Sequence, residues 1–282
     1  MSPIAHKRVV QLIRGQKASD GAGVQLIRII GGRELSMLDP FLLLDAFGSD
    51  RPDEYLAGFP AHPHRGFETV TYMLAGRMRH RDSTGSEGVI GPGDVQWMTA
   101  GRGVIHSEMP EQEEGLMSGF QLWINLPASH KMTEPAYQEI PAGDIPIELI
   151  EGGGRIKVVA GCTDGGTQGP IRNELTSPLF LDIQLNAGSR LTQSVPEGHS
   201  AFIYIFEGEV SVGSPPQRVT FGHLGVLGSG ETVVLSTSAG PCRLLLIAGR
   251  ALREPVARGG PFVMNTREEI EQAFSDYQSG RF

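Results

Sequence analysis

Cysteine is nearly missing: two occur in 282 residues, Cys162 and Cys242, far apart in the chain. That excludes a disulfide-stapled scaffold and a site built from several thiolates, and it leaves two free thiols in a reducing compartment as the expectation. An excess of positive charge is missing too. Lys and Arg total 24 against 32 Asp and Glu, a net charge of −8, with no basic block. Direct binding to a nucleic-acid backbone is therefore not expected, and no Lys/Arg cluster resembles a nuclear import signal. Long hydrophobic runs are also lacking. The longest aliphatic stretches, such as Leu244 to Ala248, are too short to span a bilayer. The opening "MSPIAHKRVVQLIRGQKASD" has no apolar core of signal-peptide length, so a soluble cytoplasmic protein without a membrane partner is the expectation. Phosphate-binding loops, dinucleotide fingerprints and G-x-S-x-G elbows do not occur either.

What is abundant is turn chemistry. Gly at 38 and Pro at 19 punctuate short runs of β-type residues from end to end. "VQLIRII", "FLLLDAFG", "ETVTYMLAG", "GVIGPGDVQWMTAG" and "SGFQLWINL" are spaced as in an antiparallel sandwich or barrel. A Pro-, Glu- and Gly-rich stretch, 127–154, then reads as a linker. Beyond it the same grammar returns in "IKVVAG", "LFLDIQLNAGS", "SAFIYIFEGEVSVG", "TFGHLGVLGSGETVVLS" and "RLLLIAG". "TVTYMLAGRM" (69–78) aligns with "AFIYIFEGEV" (201–210), and "GPGD" (91–94) is similar to "GSGE" (228–231), which suggests an internal duplication. The expected division is an N-terminal metal-binding domain over 1–130 and a second domain over 131–282. One helix signal closes the chain: Thr266 before "REEIEQAFSDYQ", with Glu269 three residues on, forms a capping-box pattern, and Ile270, Phe274 and Tyr277 make one apolar stripe.

The chemistry-bearing residues gather in the first half. His62 and His64 in "AHPHRGFET" are two apart, so on a strand both point to one side, whereas on a helix they would diverge. Downstream, "GPGDVQWMTAGRGVIHSEMP" supplies His106 and Glu108 at the same spacing. Two such pairs on neighbouring strands of a small barrel converge inside it. Three imidazoles and one carboxylate leave one or two positions free on a six-coordinate ion. That suits Fe(II), Mn, Co, Ni or Cu(II) better than a closed structural zinc site, although spacing alone does not separate zinc from the rest.

"HPHRGFETVTYMLAG" followed by "GPGDVQWMTAGRGVIHSEMP" resembles the two motifs of the cupin superfamily, and the wording is similar to the pirin family in particular. "FQLWINL" (120–126), "EPAYQEI" (134–140), "LREPV" (252–256) and "GPFVMNTREEI" (260–270) extend the resemblance over essentially the whole chain. It implies an all-β bicupin, two tandem β-sandwich barrels with a short C-terminal helix and a metal in the N-terminal barrel only. Carried over position by position, the family's iron ligands fall on His62, His64, His106 and Glu108. In many other cupins the carboxylate comes from the first motif, where this chain has Glu68; the pirin pattern leaves Glu68 to a supporting or structural role. The activity implied is quercetin 2,3-dioxygenase: O2-dependent opening of a flavonol ring, with Glu108 accepting the substrate's proton. The family is also associated with regulation through protein partners, where the iron's oxidation state would alter a nearby surface.

In the second half no ligand set survives the alignment. The strand match carries His62 and His64 onto Ser194 and Pro196, and the "GSGE" match carries His106 and Glu108 onto Arg243 and Leu245. His199 and His223 are isolated, His6 and His130 lie in a terminal stretch and a linker, and His80 in "RMRHRDSTG" could support the metal site with Asp82, although the surrounding arginines favour a solvated hairpin. Gln121, Trp123 and Phe59 are candidates both for the mouth of a metal cavity and for ordinary packing.

Overall fold

In the first half, "FETVTYMLA" is rich in β-branched and aromatic residues, and it becomes a central strand, Phe67–Ala75, buried on both faces over most of its length. The computed structural model describes residues 5–282. Around that strand an antiparallel sheet runs in the order Ala136–Ile140, Val95–Thr99, Phe67–Ala75, Met117–Asn125, Phe41–Ser49, Val24–Ile30 and Gln16–Asp20. A second sheet runs Phe59–His64, Val104–Pro110, Met78–Asp82 and Glu87–Ile90, and the two together form a β-sandwich barrel. Leu26, Phe47, Tyr55, Met73, Met78 and Met117 close one end of it with a buried apolar cluster.

The other half repeats this order. Val9–Arg14, His223–Leu227, His199–Val212, Cys242–Arg250, Leu179–Leu185, Gly154–Ala160 and Ile147–Leu149 make the long sheet. Arg190–Ser194, Thr232–Ser236, the far end of His199–Val212 and Gln217–Thr220 make the short one. Its interior is filled by aliphatic side chains, among them Ile183, Ile203, Val233, Leu235, Leu244 and Leu246. The duplication read from the strand match is therefore present as topology. The "GSGE" match is not: "GPGD" precedes Val95–Thr99, whose counterpart in the pairing order is His223–Leu227, whereas "GSGE" precedes the next strand, Thr232–Ser236. Similar turn chemistry recurs at different places in the two barrels.

The chain forms two compact units that do not divide at residue 130. One holds residues 16–142 and 252–282; the other holds residues 5–15 and 143–251. Strand pairing is the reason at the N-terminus, because Val9–Arg14 adds to the edge of the second barrel. At the C-terminus the reason is packing. Val263 joins Leu42 and Phe67 in a buried cluster, and a β-bridge links Arg65 to Phe262. Buried Lys131 donates from Nζ to Gly66 O (2.8 Å), Asn125 Oδ1 (2.8 Å) and Val263 O (2.9 Å), tying three segments together. Gly66 has φ +87°, and a Cβ there would sit 2.0 Å from Val263 O, so only glycine lets the returning chain lie this close. The helix Arg267–Gln278 has the expected capping box, Glu269 N donating to Thr266 Oγ1 and Thr266 N to Glu269 Oε2. It buries Ile270 and Ala273 beside Phe262, and Phe274 meets the Phe262 ring edge-on. Asp276 on this helix pairs with the buried Arg65 at 2.8 Å. Among the described residues no helix is long and apolar enough to cross a membrane.

Candidate metal centre and active site

His62 and His64 lie on Phe59–His64, and His106 and Glu108 on the adjacent Val104–Pro110, with His62 directly opposite His106. Alternation along each strand turns all four toward the barrel interior. Three of them meet. His62 Nε2 is 3.0 Å from His64 Nε2 and 3.0 Å from His106 Nε2, and one ring nitrogen of each histidine lies within 4.8 Å of the others. His62 Nδ1 is 2.8 Å from Pro60 O; in the neutral ring it donates there, which leaves Nε2 as a lone pair facing its neighbours. Burial, and then the neighbouring His106 and His62, push the His64 imidazolium well below its ordinary range. Burial lowers His106 to about 4, with the Glu108 charge opposing the shift and His62 adding to it. Both rings are therefore neutral at physiological pH, the state in which imidazole binds a metal.

Glu108 lies in the same cavity but is held by its own partners. Thr71 Oγ1 is 3.0 Å from Glu108 Oε1 and 2.6 Å from Gln121 Oε1, and Gln121 Nε2 donates to Glu108 Oε2 at 3.2 Å. Gln121 Nε2 and Thr71 Oγ1 thus hold the two carboxyl oxygens, the single Thr71 hydroxyl proton being shared between Glu108 Oε1 and Gln121 Oε1.

The cavity holds about 610 Å³ and is lined by His62, His64, Glu108, Thr71, Gln121 and Trp123, with Phe59 on its rim side. Gln121, Trp123 and Phe59 thus belong to the wall. Glu68 does not: it is one residue out of phase with Thr71 on the same strand, faces the opposite side, and accepts a hydrogen bond from Thr99 Oγ1 at 2.8 Å. His80 is a correction. It is 1% exposed, with Nε2 2.8 Å from Glu139 Oε1 and its ring stacked on Tyr137. The arginines around it point outward while His80, alternating with them, points in. His199 and His223 sit by turn carbonyls, of Ser177 and Phe221. Cys162 is exposed and Cys242 is buried, the latter with its thiol pushed up to about 12 by burial and by Glu207 and Glu209.

Other wall residues carried no signal in the first half of the sequence. Arg258 and Pro261 come from the returning C-terminal segment, and Asp45 from an apolar run. Thr71 was legible in principle from its inward phase in "ETVTYML".

The family profile for pirin matches residues 23–124, and that for the pirin C-terminal cupin domain matches residues 180–282. The chain belongs to the pirin family. A pirin-like protein of Caulobacter vibrioides is 52% identical over 97% of this chain and 98% of its own length. Human pirin is 44% identical over 98% of this chain and 93% of its own. Among solved structures, quercetin 2,3-dioxygenase from Acinetobacter baumannii superimposes with a TM-score of 0.90 at 36% identity, covering 99% of both chains. The two-barrel cupin architecture expected from the motifs is the one observed.

Proposed function

We propose that this pirin is a metal-dependent dioxygenase. One divalent ion, Fe(II), would be held by His62, His64, His106 and Glu108, and a flavonol or related enediol would be cleaved with O2. The observation that carries the reading is the spacing of the ring nitrogens. Imidazole nitrogens about 2.1 Å from an ion lie about 3.0 Å apart when they bind at right angles, and about 3.4 Å apart in a tetrahedron. The two 3.0 Å spacings around His62 are short enough for its ring nitrogen to share one ion with those of its neighbours.

When bound, the ion would supply Lewis acidity and a path for electrons between the substrate and O2. The chain's own groups do the rest. The aromatic wall of Trp123 and Phe59 admits a flat ring system and excludes water from it. Glu108 accepts the proton of the substrate hydroxyl, and Thr71 and Gln121 orient its carboxyl group for that role. The open cavity supports the enzymatic reading over a non-enzymatic regulator acting through protein partners, for which a closed mouth would serve as well. The name of the Acinetobacter neighbour supports the same choice.

The test is O2 consumption by anaerobically Fe(II)-loaded protein on adding quercetin, with His106→Ala as control. Uptake matched by loss of flavonol absorbance is expected. Stoichiometric iron without uptake would move the protein to the regulatory reading.

A further inference from the structure

Four charged side chains line the cavity away from the histidines, and they are not equally satisfied. Arg28 is paired with two carboxylates: Nε donates to Asp45 Oδ1 at 3.0 Å, and Nη2 reaches Asp45 Oδ2 and Asp20 Oδ2, both at 2.7 Å. Asp45, 4% exposed, is engaged through both oxygens by that one guanidinium. Arg258 is different. Its hydrogen bond is a long one, Nη1 to Leu42 O at 3.3 Å, and its guanidinium carbon lies 5.0 Å over the Trp123 ring. No carboxylate pairs with it among the described residues, and solvent reaches it through the cavity. Burial lowers its proton affinity and neighbouring Arg28 adds to that, while the Asp45 and Asp20 charges act against the shift without pairing with it directly.

Placement gives this cation its meaning. Trp123 lies under Arg258 and is 5.2 Å from the His64 ring by centroids. An aromatic ligand lying along Trp123 would have one end at the histidines and the other at the guanidinium. We propose that Arg258 selects substrates bearing a carboxylate at the end remote from the reacting oxygens, so that the native substrate is an aromatic or enediol acid rather than a neutral flavonol. This rests on the catalytic reading above. A planar carboxylate matches the guanidinium fork of this lining residue. A phosphate dianion would bring a second charge toward Asp20 and Asp45 with no further free cation in the wall.

The experiment compares 3,4-dihydroxybenzoate with 3,4-dihydroxybenzamide, which share the catechol and differ in the charge. Binding is read by anaerobic calorimetry on Fe(II)-loaded wild type, Arg258→Gln and Arg258→Lys, with iron content measured on each. In wild type the acid should bind on the order of tenfold or more tighter than the amide, the effect of one charge-assisted hydrogen-bonded pair. Arg258→Gln should abolish the preference while retaining its iron, and Arg258→Lys should restore part of it. Equal affinities in wild type, a preference surviving Arg258→Gln, or no binding of either compound would overturn the proposal. Metal-depleted wild type separates the two readings. Failure to bind iron would sink the metal centre, and a persisting preference for the acid would leave Arg258 standing.

Discussion

The two barrels share one pairing order and differ in what fills them. Gln121 stands between Thr71 and Asp45 in register, and all three line the cavity. In the second barrel Leu246 stands between Ile203 and Leu181, and all three are packed core. On the facing sheets His106 and Glu108 turn inward in the first barrel; Val233 and Leu235 take the inward positions of the matching strand in the second. Gln193 and Val195 then stand in place of His62 and His64. The frame is thus indifferent to function. A β-sandwich barrel becomes a site when its inward positions carry polar groups that can satisfy one another, and it becomes a scaffold when aliphatic side chains fill it to crystal-like density.

That contrast can be broken at graded cost. His106→Ala removes the ligand that faces His62 across the strands; dialysed protein should fall from one equivalent of metal to near none by elemental analysis. A full equivalent retained would remove the site. Glu108→Gln should keep part of the metal yet lower turnover by about 10²–10⁴-fold, the scale of a lost proton acceptor, measured as O2 uptake per bound iron. Leu246→Ala, by contrast, should leave metal and turnover alone and reduce unfolding free energy by about 2–5 kcal/mol in denaturant titrations, because it opens a void in a packed core. Thr71→Val, at the position matching Ile203, inverts the pattern: turnover drops by about 10–100-fold as Glu108 loses a partner, with little change in stability. The smallest effect concerns the terminal helix. Hydrogen bonds from Arg65, Gln272 and Arg281 hold the Asp276 carboxyl down to about 2, against 3.8 ordinarily. Its contribution to stability is therefore present above pH 3.8 and lost as pH falls through about 2. Asp276→Asn should flatten the acid limb of the melting profile over that interval.

Much of this was legible from short-range pattern. The H-x-H and H-x-E pairs announce their common face because strand periodicity is strict, and Thr266 with Glu269 announces the helix start because capping is local. The His80 hairpin misled, since neighbouring arginines suggest solvent while alternation puts every second residue inside. Arg258 and Lys131 were beyond reach: each acts on groups far away in sequence, the Trp123 ring and the Val263 carbonyl, and nothing beside them in the chain marks the contact. The assignment of both terminal segments was beyond reach for the same reason: a linker-like composition marks where the chain changes barrels once, but nothing local marks which unit each terminus joins.

The return of residues 252–282 to the first unit has a consequence for how the protein is made. On the ribosome the first hundred and forty residues emerge before Arg258, Pro261 and the Val263 carbonyl that Lys131 grips. The second barrel must be synthesised before the wall of the first can be finished. A chain broken off before residue 252 would lack Arg258 and Pro261 from that wall.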